Sequence, residues 1–265
     1  MRCLFCRSDS AGSRSVEHII PESLGNSTHT LKVGIVCDRC NNYFARKVEA
    51  PFLNHPSMVT LRHHQAVSNK RGLVPPLGGW VGNYGPALMR YYPEIELTDI
   101  EVSPETLRAM QRVASGRIYF PIKVPVPNDA VLSRFFAKIA LECIAKRLED
   151  HSDGLDYIVD ETQLDLLREH ARLGNSTPWP VSVRSIYDAN AKQIEESGRA
   201  VQVVHESDFL VTEWGEWYFV IAIFGDEYAI NLGGPDIEGY HRWLSDHNGV
   251  SPLYHGKNSD FTMPQ

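Results

Sequence analysis

Four of the chain's five cysteines lie within its first forty residues, in two closely spaced pairs. The pairs are Cys3-x2-Cys6 and Cys37-x2-Cys40, while the fifth cysteine, Cys143, stands alone in an apolar stretch. In a chain whose N-terminus is too polar for a secretory signal, paired CxxC motifs are typical of metal ligands rather than of disulfides. Four thiolates with this spacing suit a tetrahedral zinc ion, which would hold two distant segments together. The sequence therefore predicts a structural Zn²⁺ site in a small N-terminal module.

The composition argues against a disordered chain and against a membrane-spanning one. Hydrophobic residues make up 43% of the 265 positions, which is enough for a core. No apolar run reaches the roughly 18 residues that a membrane span needs. We therefore expect a cytoplasmic protein without a membrane partner. The net charge is −7, but residues 1–50 carry seven basic and five acidic side chains. This mild local excess only permits contact with a phosphate backbone.

Residues suited to phosphodiester hydrolysis stand between the cysteine pairs and directly after the second pair. The segment Glu17–Pro21 reads EHIIP, and Asn41 follows the last cysteine of the pair. Mg²⁺ and Mn²⁺ prefer oxygen ligands, which the Glu17 carboxylate and the Asn41 carboxamide would provide. His18 is suited to be the general base, because an imidazole ordinarily titrates near neutral pH. Neighbouring residues of an extended strand point to opposite faces, so Glu17 and His18 converge on one phosphate only if the segment bends.

The motifs C-x2-C, E-H-I-x-P and C-x2-C-N, in this order, resemble the HNH (ββα-metal) endonuclease family over about residues 3–50. The resemblance implies a metal-dependent hydrolase of nucleic acid, with DNA as the preferred substrate. It also implies a role such as that of a defence or effector nuclease. It implies that Glu17 and Asn41 ligate the catalytic Mg²⁺ or Mn²⁺ and that His18 is the base. The family's middle Asn would be expected near Lys32, where no Asn stands, and Asn26 is the substitute that this sequence offers.

Three side chains are further candidates for contact with nucleic acid. Arg46 and Lys47 follow Asn41 on the same predicted helix and could neutralise phosphates, and Asn26 is the third candidate. Each functional assignment has a structural alternative. Asn41 could simply cap a helix, and Arg46 and Lys47 could lie on a solvated face. The alternative function is accordingly a non-catalytic zinc module that binds nucleic acid or a protein.

The predicted fold class is α+β, with a zinc-stapled ββα-metal module followed by a larger α+β domain that contains an antiparallel sheet. The predicted boundaries are 1–60 for the module, 61–90 for a linker and 91–265 for the larger domain, whose role the sequence does not assign. Pro and Gly interrupt any regular element at 74–86. The larger domain could mediate homo-oligomerisation or bind a regulatory partner.

Periodicity predicts the secondary structure of the larger domain. Helices are expected at 104–115, 130–149 and 161–173, and strands at 117–125, 200–205, 208–213, 217–224 and 227–232. The last two strands form a predicted hairpin that turns at Gly225-Asp226. Trp214, Trp217 and Tyr218 alternate with apolar residues, which predicts that they belong to the core.

Overall fold

The computed structural model describes residues 1–26, 28–69, 71–113, 115–126, 130–174, 177–195 and 197–258. The chain forms two compact units. The first unit consists of residues 1–20 and 28–52 together with the described part of 127–265. The second unit consists of the described residues of 21–27 and 53–126. Mixed helices and antiparallel sheets confirm the predicted α+β class. The domain boundaries inferred from the sequence stay predictions.

The first unit surrounds one long helix. Its helices are α1 (Asp38–Phe44), α2 (Ala50–Leu53, whose last residue belongs to the second unit), α5 (Ala130–Leu148), α6 (Gly154–Asp160), α7 (Asp165–Leu173), α8 (Glu238–Asp246) and α9 (Tyr254–Asn258). A π-helical turn, Ala45–Glu49, joins α1 to α2, and a 3₁₀ turn, Thr162–Leu164, precedes α7. The extended segments before α1 pair through isolated bridges, Arg2 with Asp9 and His18 with Thr30.

An antiparallel sheet of four strands lies in the first unit, in the order β5-β10-β9-β8. Its strands are β5 (Val181–Ser185), β8 (His205–Val211), β9 (Trp217–Ile223) and β10 (Asp226–Asn231), and β6 (Lys192–Ile194) pairs separately with β7 (Ala200–Gln202). The β9–β10 hairpin is confirmed, but its turn is Phe224-Gly225, one residue earlier than predicted. Both turn residues have positive φ, of 49° and 81°, as a two-residue hairpin of the primed type requires. A Cβ on Gly225 would also lie 2.0 Å from the Tyr187 carbonyl oxygen, so only glycine fits.

Helix α5 forms the centre of the first unit because apolar residues cover nearly all of its faces. Phe135 stacks on Phe52 with ring centroids 3.9 Å apart, and Phe136 stacks on Tyr228 of β10 at 4.4 Å. A helix that is hydrophobic all round is buried on all sides, and α5 has no exposed side chain between Leu132 and Ala145. The predicted helix at 130–149 is confirmed in position, as is the one that ends before Gly174.

The second unit contains a four-stranded antiparallel sheet with the order β3-β2-β1-β4. Its strands are β1 (Leu77–Val81), β2 (Gly85–Tyr92), β3 (Leu97–Val102) and β4 (Ile118–Tyr119), its helices are α3 (Pro56–His64) and α4 (Pro104–Met110), and its 3₁₀ turns are Glu22–Leu24 and Pro93–Ile95. The prediction that Pro and Gly interrupt regular structure throughout 74–86 was wrong for 77–81, because extended glycines pair normally in the β1–β2 ladder. The predicted strand at 117–125 is only two residues long.

The expected core position of two tryptophans was also wrong. Tyr218 is fully buried, whereas Trp214 and Trp217 are 50% and 54% exposed. Trp214 lies in the turn between β8 and β9, where its ring contacts the Arg242 guanidinium at 4.5 Å instead of the core. Among the described helices, none combines the length and the apolarity that crossing a bilayer would take.

His170 of α7 should make the folded protein sensitive to mild acid. Its side chain is buried and lies 2.9 Å from the Ser133 hydroxyl, and this burial, with the nearby Arg134, lowers its pKa to about 4. His170 therefore binds a proton below about pH 6.5 in the unfolded chain, but only below about pH 4 in the folded chain. Stability that is present above pH 6.5 is lost as the pH falls. At pH 5 this linkage costs about 2 kcal/mol.

The measurement compares urea unfolding of the wild type and of His170→Gln at pH 7.5 and pH 5. The variant lacks the titrating group, so the difference in unfolding free energy between the two proteins should shrink by about 2 kcal/mol at pH 5. Taking this difference removes the contribution of every other titrating residue. An equal difference at both pH values would mean that folded His170 accepts a proton as readily as unfolded His170 does.

Candidate functional site

The four predicted zinc ligands come together at one point. The Sγ atoms of Cys3, Cys6, Cys37 and Cys40 all lie within 4.8 Å of one another, and those of Cys6 and Cys37 are 3.6 Å apart. Four sulfurs about 2.3 Å from a central zinc ion would be separated by about 3.8 Å, so the cluster fits this metal. A hydrogen bond from Cys40 lowers the pKa of Cys3 to about 4, which favours a thiolate at one ligand position.

Local backbone structure explains why each pair turns inward. At the first pair, the Arg7 amide donates to the Cys3 carbonyl at 2.9 Å, and Arg7 itself has φ of 59°, which closes a tight knuckle. At the second pair, Cys37 is the N-cap of α1, and its sulfur accepts the Cys40 amide at 3.4 Å. The Cys3 sulfur accepts the Cys37 amide at 3.3 Å. The Cys40 amide favours a negative charge on the Cys37 sulfur, but burial outweighs it and raises the pKa of Cys37.

C-terminal residues of the first unit hold the cysteine knuckle by ion pairs. Arg2 pairs with Asp160 at 2.6 Å, and Arg7 pairs with Asp165 at 2.5 Å. Lys32 pairs with Asp150 at 2.6 Å. Three of the basic residues that give the N-terminal segment its positive excess are therefore neutralised within the protein. They secure the module and are not surplus charge for a phosphate backbone.

The Glu17–Ile19 backbone is paired with a neighbouring extended segment. The Leu31 amide donates to the Glu17 carbonyl at 3.0 Å, and the Ile19 amide donates to the His29 carbonyl at 3.1 Å. Glu17 is 5% exposed, whereas His18 is half-buried, so the two neighbouring side chains have different surroundings. This difference agrees with the alternation that an extended backbone imposes.

Asn41 joins the helix that follows the cysteines to this extended segment. It lies in the first turn of α1, and its side-chain amide donates to the Val16 carbonyl at 3.4 Å. This contact uses the nitrogen of the carboxamide, beside the backbone of Glu17. The N-cap of α1 is Cys37, so the alternative explanation of Asn41 as the capping residue was wrong. Its oxygen, with a Glu17 oxygen, is a donor set of the kind that Mg²⁺ or Mn²⁺ prefers.

Lys138 of α5 contacts Glu17, and sequence reasoning missed this residue. Its Nζ lies 2.7 Å from Glu17 Oε1, 2.8 Å from Glu49 Oε1 and 2.9 Å from Glu142 Oε2. Lys138 and Glu142 are both fully buried. In sequence, a Lys and a Glu four positions apart on a helix are typical of an exposed ion pair. One signal in the sequence could have revealed them. Apolar residues cover most of the remaining surface of α5, so the helix offers no face on which this pair would be exposed to solvent.

Burial governs the charge states in this cluster. Burial raises the pKa of Glu17 above its ordinary value, although the Lys138 ammonium opposes that shift. Burial also raises the pKa of Glu142. For Lys138, burial opposes the charged form, but Glu142, Glu17 and Glu49 outweigh it and raise the pKa. Removing one partner from a buried ion pair typically costs about 3–5 kcal/mol, so these four residues are strongly interdependent.

The predicted nucleic-acid contacts differ in their exposure. Arg46 and Lys47 are exposed on the π-helical turn directly after α1, and Arg46 Nε donates to the Asn42 carbonyl at 3.3 Å. Asn26 belongs to the second unit and is buried. Burial suits Asn26 better to orienting a neighbour than to touching a nucleic acid. The three assignments stay predictions.

Comparison with known proteins identifies the N-terminal segment. Residues 3–57 match a family model described as HNH endonuclease. The match confirms the resemblance seen in the motifs and includes the four cysteines, Glu17, His18 and Asn41. No curated protein and no solved structure matches the chain. The similarity to the HNH endonuclease family is thus confined to residues 3–57, and α5 lies outside them.

Proposed function

We propose that this protein is a metal-dependent nuclease that hydrolyses phosphodiester bonds, with DNA as the preferred substrate. One observation carries the proposal beyond the family match. The Asn41 side chain, at the start of α1, is hydrogen-bonded to the Val16 carbonyl at 3.4 Å. The two halves of the motif, which are far apart in sequence, therefore meet beside Glu17 and His18. Hydrolysis of a phosphodiester needs oxygen ligands for a cation and a general base, and this contact brings Asn41 to the segment that carries Glu17 and His18.

In the proposed reaction, His18 accepts the proton of a water molecule as its oxygen attacks phosphorus. The bond between phosphorus and the 3′-oxygen breaks, and that oxygen leaves. Glu17 and Asn41 would hold a divalent cation, which supplies positive charge to the phosphate and to the leaving oxygen. The zinc held by the four cysteines serves the fold and takes no part in the chemistry.

Exposed basic residues after α1 support contact with the substrate backbone. Arg46 and Lys47 extend from the same helical run as Asn41, and we propose that they bind phosphates next to the scissile bond. Such contacts position the nucleic acid without reading its sequence. We further propose that the acidic larger domain regulates the nuclease through a partner or a second copy, as in a defence or effector nuclease.

The test is cleavage of supercoiled plasmid and of single-stranded RNA by zinc-loaded protein with Mg²⁺, Mn²⁺ or EDTA. We expect nicked or linear plasmid with either cation and intact plasmid with EDTA. Faster cleavage of RNA than of plasmid would support the proposed nuclease activity but make RNA the preferred substrate. If folded, zinc-loaded protein binds plasmid in a mobility-shift assay but leaves it intact under all conditions, the alternative of a non-catalytic zinc module is correct.

A further inference from the structure

Lys138 links three parts of the proposed nuclease site. Its ammonium is within 2.9 Å of carboxylate oxygens on Glu17, Glu49 and Glu142. It also donates to the His18 carbonyl at 3.4 Å. The first contact fixes a side chain of the EHIIP segment, the last fixes its backbone, and Glu49 ends the π-helical turn after α1. One ammonium therefore contacts both the segment that carries Glu17 and the helical turn that follows α1.

The composition of the cluster is also compatible with a cation. Three carboxylates face one ammonium. A divalent ion on Glu17 would add a second positive group to them. The ion pair uses Glu17 Oε1, so the second carboxylate oxygen is the one that would ligate the ion.

From these contacts we propose that Lys138 and Glu142 are positioning residues of the metal site. Glu142 holds the ammonium from one turn further along α5, and the ammonium orients Glu17 for cation binding. The proposal rests on the proposed nuclease function and deepens it. Both residues lie outside the segment that matches the HNH family model, so helix α5 completes a site that the matched residues only begin.

The main variant is Lys138→Met/Glu142→Met, which removes one positive and one negative charge. The variant loses the contacts of Lys138 with Glu17, with Glu49 and with the His18 carbonyl. The matched control is Arg184→Met/Glu227→Met, which removes another ion pair of the first unit, one whose carboxylate is buried and which shares no residue with the cluster. The readout is Mn²⁺ affinity of zinc-loaded protein, from the electron paramagnetic resonance signal of free Mn²⁺, together with zinc content and melting temperature.

We expect the Lys138/Glu142 variant to bind Mn²⁺ about 10- to 100-fold more weakly, because residues that orient metal ligands typically contribute this much. Zinc content should stay unchanged, and the Arg184/Glu227 control should bind Mn²⁺ as the wild type does. If Mn²⁺ affinity stays within about twofold of the wild type, the cluster is purely structural and the proposal is wrong. Tighter binding would mean that Lys138 competes with the cation, which also overturns it.

Two other outcomes, an unfolded double variant and an inactive wild type, also test the proposal. If the double variant fails to fold, Glu142→Gln decides, because glutamine has the same shape but its neutral oxygen accepts from the Lys138 ammonium more weakly than a carboxylate does. We expect it to weaken Mn²⁺ binding several-fold, and unchanged affinity would refute the positioning role. A wild type that neither binds Mn²⁺ nor cuts nucleic acid would remove the proposed nuclease itself. If the wild type binds Mn²⁺ and cuts nucleic acid, and the variants bind Mn²⁺ with the same affinity, only the positioning role is refuted.

Discussion

Replacing His18 with Ala should lower the rate of plasmid cleavage by about 10²- to 10⁴-fold, the range that a general base usually contributes. The imidazole is half-buried on a segment whose backbone is fixed through its neighbours, so the variant should keep its fold. Zinc content and melting temperature should therefore match those of the wild type. The measurement is the initial rate of nicking at saturating Mn²⁺.

Two controls separate loss of the base from general damage. His151→Ala removes an exposed histidine and should cut at the wild-type rate. Imidazole added to the His18→Ala protein should restore part of the activity, because a small molecule can then occupy the space of the missing ring. Wild-type cleavage by His18→Ala would rule out His18 as the base.

Replacing Cys37 with Ser should release zinc and unfold the N-terminal module. Cys37 is the N-cap of α1, its sulfur accepts the Cys40 amide, and its thiol lies 3.6 Å from that of Cys6. Structural zinc sites in small modules typically supply about 10–16 kcal/mol of apparent binding free energy, much of which three remaining ligands would lose. Zinc content after gel filtration should fall to background, and amide exchange across residues 3–57 should become fast.

The matched control is Cys143→Ser, which changes a half-buried thiol of α5 that is no member of the cysteine cluster. It should retain zinc and slow amide exchange at the N-terminus. Stoichiometric zinc in the Cys37→Ser protein would show that the cluster holds the metal without this ligand, or that the metal binds elsewhere.

Features with short sequence separation were predictable. The CxxC spacing is a local pattern, and it correctly predicted four sulfurs close enough to hold zinc. The apolar periodicity of α5 correctly gave its position, and alternation correctly gave the β9–β10 hairpin. The turn was misplaced by one residue because Phe224 adopts positive φ, which its side chain does not suggest.

Features that depend on contacts across the chain were not predictable. Nothing local to Lys138 shows that its ammonium reaches Glu17, more than a hundred residues earlier. The charge excess of the N-terminal segment was likewise misleading, because Arg2, Arg7 and Lys32 meet acidic partners in α6, α7 and the residues after α5. Pairing of this kind follows from the tertiary fold, so a count of charges within one segment cannot reveal it.

The place of Lys138 in the chain has a consequence for biosynthesis. A ribosome completes all four cysteines by residue 40, yet it adds Lys138 only about 100 residues later, roughly 5 to 20 s at ordinary rates of translation. A nascent chain can therefore capture zinc long before α5 exists. Glu17 contacts the Lys138 ammonium only after that helix has emerged, so the order of synthesis separates folding around the cysteine cluster from assembly of the proposed catalytic centre.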